Sequence, residues 1–122
     1  MSNNVKIAID AMGGENSPDK NIHGLSLFLK KNSKVKNCFF NLYGDEELIK
    51  EKLKKYKILS SDIKIFNTPS IVSDEETPLT AIKNSKNSSM WNAINSQLTD
   101  HSDISLSAGN TGVLFVISRM LL

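Results

Sequence analysis

The chain has one cysteine, three prolines and six glycines in 122 residues, and Arg119 is its single arginine. One cysteine excludes a disulfide framework within the chain. Cys38 stands beside Phe39 and Phe40, which suits a buried reduced thiol in a strand and not a nucleophile or metal ligand. Long apolar runs are missing as well. Nothing approaches the roughly 20 residues that cross a bilayer, and Met1-Ser2-Asn3-Asn4 carries no apolar targeting core, so a cytoplasmic protein is expected. Charge of one sign does not dominate: 15 Lys and Arg stand against 13 Asp and Glu, a net charge of +2 with no dense basic block. That balance gives nucleic-acid binding no support.

What is present is a regular alternation of strand-like and helix-like segments, with 39% hydrophobic residues to build a core. Such alternation predicts a parallel sheet with crossover helices. Strands are expected at Val5 to Asp10, Asn37 to Tyr43, Asp62 to Phe66 and Ile104 to Leu106. The first helix is expected to open with Ser17 as cap and Pro18 at its first position, presenting Ile22, Leu25, Phe28 and Leu29 on one face. Asp45 caps a second helix carrying Ile49, Leu53 and Tyr56, with Lys50, Lys52, Lys54 and Lys55 on a solvated side. Pro78 starts a short helix with Leu79, Ala81 and Ile82. Met90, Ile94 and Leu98 form a later apolar stripe that Trp91 joins as a core residue. The last segment, Val113 to Leu122, reads as a helix that is apolar on nearly every side and needs cover on all of them. It gives the sequence the look of one interrupted inside a larger α/β domain.

Two loops carry the functional signal. Asp10-Ala11-Met12-Gly13-Gly14-Glu15-Asn16-Ser17-Pro18 follows the first strand, and Ser107-Ala108-Gly109-Asn110-Thr111-Gly112 lies between the last strand and the last helix. Small residues at a helix start leave backbone N–H groups and the positive end of the helix dipole open to an anion. With the strand order three-two-one-four, the reversal falls between the first and last strands, where both loops open. Asn110 and Thr111 then hydrogen-bond phosphate oxygens, while Gly109 and Gly112 allow close approach. Either loop alone is equally well explained as a tight turn and a helix cap. Neither matches the P-loop or the dinucleotide fingerprint. Asp74, Glu75 and Glu76 lack histidines at ligand spacing, and neither His23 nor His101 stands beside a nucleophile, so metal and triad chemistry are not expected. Lys86-Asn87-Ser88-Ser89, at another helix start, could offer a charge and hydroxyls to an anion.

Taken together, Ile7-Ala8-Ile9-Asp10-Ala11-Met12-Gly13-Gly14, Gly44-Asp45-Glu46, Asp74-Glu75-Glu76-Thr77-Pro78, Lys86-Asn87-Ser88-Ser89 and Ser107 to Gly112 resemble, in order and spacing, the phosphate acyltransferases of bacterial phospholipid synthesis. The resemblance covers the whole chain, residues 1–122, as the N-terminal part of a single α/β domain. It implies a three-layer α/β/α fold of the isocitrate dehydrogenase type, with a mainly parallel sheet and truncated. The implied activity is transfer of a fatty acyl group from acyl-acyl carrier protein to inorganic phosphate. Also implied are a homodimer, peripheral contact with the membrane through a membrane acyltransferase, and no metal or cofactor. With it, the two glycine loops together with Ser88 and Ser89 are expected to bind phosphate or the carrier's phosphopantetheine, the substrate-binding residues being Asp10, Gly13, Gly14, Asn16, Lys86, Ser88, Ser89, Ser107, Gly109, Asn110, Thr111 and Gly112. No residue is assigned as general base. Glu15-Asn16-Ser17-Pro18 departs from the family's usual Asp-x-Ala-Pro. Lys83, Asn84, Asn87 and Val113 also stand where other residues are common.

Overall fold

β1 (Val5–Asp10) lies at the middle of a parallel sheet whose order is β3-β2-β1-β4, with β2 at Cys38–Gly44, β3 at Ile63–Asn67 and β4 at Ile104–Ser107. The structure is a computed structural model that describes residues 4–32 and 37–122. Met1 to Asn3, where a targeting core was sought, lie outside the described residues. Five helices complete the described chain: α1 (Asp19–Lys31), α2 (Glu46–Lys55), α3 (Pro78–Asn84), α4 (Ser89–Thr99) and α5 (Thr111–Leu121). β1 pairs with β2 from Val5 opposite Cys38 to Asp10 opposite Tyr43, and with β4 from Ile7 opposite Ile104 to Asp10 opposite Ser107. The expected order and the α/β layering are therefore observed.

Side-chain alternation along the strands sorts the core into two faces. On one, Ile22 and Leu25 of α1 and Ile49 of α2 pack with Phe40 and Leu42, while Ile7, Ile9, Ile63 and Ile65 sit partly buried against them. On the other, Ala8 and Tyr43 meet Ala93 of α4. Beyond it, Ala81, Met90, Ile94, Val113 and Ile117 tie α3, α4 and α5 together. Fully burying an aliphatic side chain of this size is worth about 1.5–3 kcal/mol, so these clusters dominate the fold's stability. Trp91 packs against the α3–α4–α5 cluster and Cys38 against the first core, but both are only partly buried and not the fully buried residues expected.

Several boundaries and faces differ from expectation. Asn37 adopts φ +77, which is not strand backbone, so β2 starts at Cys38 and extends through Gly44, which pairs with Asn67. Ser17 does not cap α1. Pro18 occupies the N-cap position without a side-chain cap, and the Ser17 hydroxyl points backward, donating to the carbonyls of Gly13 at 2.6 Å and Gly14 at 2.9 Å. The lysine side of α2 is not wholly solvated. Lys52 and Lys55 reach Asp19 at 3.6 and 2.8 Å. Leu98, expected on an apolar stripe, is exposed, as is Phe28 to a lesser degree, though its ring meets Phe40 edge-on at 5.9 Å, and Leu79 and Ile82 of α3 are exposed too. In α5, Val113 and Ile117 are buried while Phe115, Met120 and Leu122 face outward.

Candidate functional site

Asp10 ends β1 at the reversal of strand order and is 2% exposed. An isolated buried carboxylate is costly, so its oxygens need donors. Three arrive from separate places. Ser107, ending β4, donates to Oδ2 at 2.8 Å, and Ser89, opening α4, donates to Oδ1 through a short hydrogen bond. The Met12 N–H donates to Oδ1 at 3.2 Å. Burial pushes the Asp10 carboxyl above its ordinary range, and the hydrogen bonds from Ser89, Ser107 and the backbone of Met12 and Gly13 pull it partly back.

The same residues bring the two glycine loops into contact. Ser107 Oγ, while donating to Asp10, accepts from the Gly109 N–H at 3.1 Å. A Cβ on Gly13 would stand 2.7 Å from Asp10 Oδ2 and 2.9 Å from the Gly109 nitrogen, so only glycine lets the loops approach this closely. Gly14 has φ +88 and packs on the Ala108 carbonyl, where an added Cβ would be 2.9 Å away. Asn16, at φ +56, completes the reverse bend ahead of α1.

Asn110 caps α5, its Oδ1 accepting from the Val113 N–H at 3.2 Å. Its Nδ2 donates to the carbonyls of Ser73, Asp74 and Glu76, closest to Glu76 at 2.7 Å. Both ends of this amide are thus held within the protein. The acidic stretch meets the site through its backbone and not its carboxylates. Thr111 and Gly112 are exposed at the first two helical positions. Among the described residues, nothing accepts from the N–H groups of Ala108, Asn110, Thr111 or Gly112.

The residues at the start of α4 behave differently from that loop. Ser88 is 1% exposed and accepts from the Trp91 N–H at 3.0 Å, while the Ser89 N–H donates to the Ser70 carbonyl at 3.0 Å. This helix end is closed by the protein's own groups. Ser89 reaches the site by way of Asp10, and the protons of both Ser89 and Ser107 point at the carboxylate. Lys86 is exposed, and among the described residues no hydrogen bond or ion pair ties it to either loop. Also among the described residues, no group of three or more His, Cys, Asp or Glu could hold a metal ion, and no helix is long and apolar enough to cross a membrane.

Sequence reading passed over Asn21. Its Nδ2 donates to the carbonyls of Ala11 and Gly13, at 2.8 and 2.9 Å, and to Ser17 Oγ at 3.1 Å, pinning the first loop onto α1. The signal was available: Ser17 and Asn21 are four apart, the spacing that puts two polar side chains on one side of a helix start.

A parallel α/β sheet with paired glycine loops at its strand-order reversal, beyond the carboxyl ends of β1 and β4, defines a protein of the doubly wound class, in which ligands generally bind at such a reversal. The pattern of the family described as "Fatty acid synthesis protein" matches residues 5–122, and the chain belongs to that family. It is 44% identical, over 98% of its length, to a protein of Pelagibacter ubique named "Phosphate acyltransferase". Proteins of the same name from Ehrlichia ruminantium and Bartonella henselae are 39% and 37% identical, each over 97% of the chain. The chain spans only 33–35% of the length of these relatives.

Proposed function

We propose that the chain supplies the phosphate-seating part of an acyltransferase that moves a fatty acyl group from acyl-acyl carrier protein to inorganic phosphate, giving acyl phosphate for phospholipid synthesis. The observation that carries this reading is the row of N–H groups at Ala108, Asn110, Thr111 and Gly112. Among the described residues they have no acceptor, and they lie at the positive end of α5 in a chain whose relatives are named phosphate acyltransferases. Oriented N–H donors hold the phosphate's charge and fix the direction of its attacking oxygen. That oxygen adds to the thioester carbonyl carbon, the C–S bond of the tetrahedral intermediate breaks, and the phosphate's proton ends on the departing sulfur. Donors beside the carbonyl stabilise the oxyanion formed on the way. Asp10, with its oxygens already accepting, holds the loops in register and does not touch phosphate. In this reading the working protein is a cytoplasmic homodimer that meets the membrane through the acyltransferase consuming its product.

A second reading is a split or non-catalytic polypeptide that acts only beside a second chain, docked through the exposed apolar side chains of α5. A further alternative is another phosphate-dependent acyltransferase of the same fold. Acyl phosphate formation separates the three. The chain is assayed alone and with a polypeptide matching the remaining two-thirds of the Pelagibacter protein, using long and short acyl donors. Turnover of long-chain acyl-acyl carrier protein only in the presence of both pieces supports the proposed site within a split protein. Turnover by the chain alone removes the second reading. Preference for short acyl donors favours the third, and no turnover in any arm contradicts the main reading.

A further inference from the structure

On the α1 side of the sheet, an apolar groove of about 430 Å³ runs between α1 and the β4 edge. Ile7, Ile9 and Leu106 form its floor, and Leu25 and Phe28 of α1 form its wall. Ile9 lies opposite Leu106 in the register, so both project to this face, and Leu106 is half exposed there. The groove is polar toward one end, where Asp10, Asn21 and Ser107 line it beside Ala108. These residues also belong to the loop pair just described: Ala108 opens the α5 loop, and Asn21 pins the other.

Resting on the reading above, we infer that this groove receives the hydrocarbon tail of the fatty acyl donor, with the thioester carbonyl at the Ser107–Ala108 end. The volume lies within the 300–1,000 Å³ usual for ligand sites, and an apolar wall with few convergent polar groups is the make-up such sites show. From Ile7 to Ile9 the floor spans two residue steps, about 7 Å of strand, which seats the part of an extended aliphatic chain nearest its carbonyl and leaves the rest to run out along the open groove. Reaction needs the carbonyl carbon within about 3–3.5 Å of a phosphate oxygen. A tail lying in the groove delivers its carbonyl to the residue that begins the phosphate loop.

Gly24 gives the means of testing this. It lines the groove in mid-α1, a position where glycine is unfavourable by roughly 0.8–1 kcal/mol relative to alanine, and an added Cβ would meet nothing within 4 Å. A side chain there fills the groove without disturbing the core. Decanoate, below its micelle-forming concentration, is titrated into the 122-residue chain and followed by amide NMR and calorimetry. The expected result is saturable binding with shifts at Gly24, Phe28 and Leu106, and at least a tenfold loss of affinity in Gly24→Trp with phosphate binding unchanged. Equal decanoate affinity in a folded Gly24→Trp protein overturns the inference. So do shifts centred on Phe115 and Met120, or exclusion of decanoate by the polypeptide matching the rest of the Pelagibacter protein. Loss of phosphate binding alone would count against the proposed function and leave the groove standing.

Discussion

The Ser89 hydroxyl donates to the carboxylate of Asp10, 79 residues earlier in the chain. Ser107, 97 residues from Asp10, donates to the other oxygen of the same carboxylate. One buried side chain therefore fixes the ends of β1 and β4 and the start of α4 relative to one another, and with them the mouth of the crevice.

Because both serines share one acceptor, their effects are coupled. Ser89→Ala and Ser107→Ala each leave a buried carboxylate short of a donor and are expected to lower stability by about 1–3 kcal/mol. The double variant should depart from the sum of the two by about 0.5 kcal/mol or more, as residues of one hydrogen-bond network do. Urea unfolding of the four proteins measures this, and simple additivity would show that Asp10 does not link the two elements.

The glycines are not equivalent. Gly13→Ala forces a Cβ to within 2.7 Å of Asp10 Oδ2 and is expected to cost about 1–3 kcal/mol, as overpacking does. Gly112→Ala meets its nearest atom, on Pro78, at 3.4 Å, an ordinary contact. It should stay within about 0.5 kcal/mol of the parent. Thermal unfolding of the pair decides it; equal losses would contradict the close approach of the loops.

Asp19 links the start of α1 to the end of α2, accepting from Lys55 Nζ and Tyr56 Oη, both at 2.8 Å. The Lys55 hydrogen bond first, and that of Tyr56 next, hold its carboxyl down to about 2. A carboxyl lowered in the folded state favours folding above its unfolded value of about 3.9. That contribution is lost as pH falls through about 2. Parent and Asp19→Asn should therefore differ in Tm at neutral pH and converge at the acid end of this window. A gap that stays constant with pH would show that the ion pair is not its source.

Phe115 and Met120 on α5 and Leu122 at its C-cap are exposed large apolar side chains. Each large apolar side chain removed from water is worth up to about 1.5–3 kcal/mol, so self-association through these residues is expected. Sedimentation should find the parent associating at micromolar concentration and Phe115→Ser with Met120→Ser shifted toward monomer. A parent that is monomeric throughout would remove this account of the helix.

Much of the fold was legible because alternating apolar runs announce strands and the 3.6-residue stripe announces helices such as Ile22–Leu25 and Met90–Ile94. The strand order β3-β2-β1-β4 was assumed at the sequence level, since alternation of strands and helices does not encode which strands are neighbours. What the sequence did not disclose is which polar atom meets which. Ser17 sits where a cap belongs, yet it donates backward because Asn21 organises the loop carbonyls around it. Ser88 and Ser89 are neighbours of like chemistry. One closes its own helix and the other reaches Asp10, a difference set by the helix's rotation against β1. The exposure of Leu79 and Leu98 likewise depends on which elements pack beside them, which the spacing of apolar residues does not encode.

The central claim is that the backbone of the β4–α5 loop seats phosphate, and amide NMR during titration with inorganic phosphate tests it most directly. The account predicts saturable shifts at Ala108, Asn110, Thr111 and Gly112, weakened in a folded Gly112→Val protein. Phosphate that produces no saturable change at these amides, or shifts instead centred on Lys52 and Lys55, would contradict it.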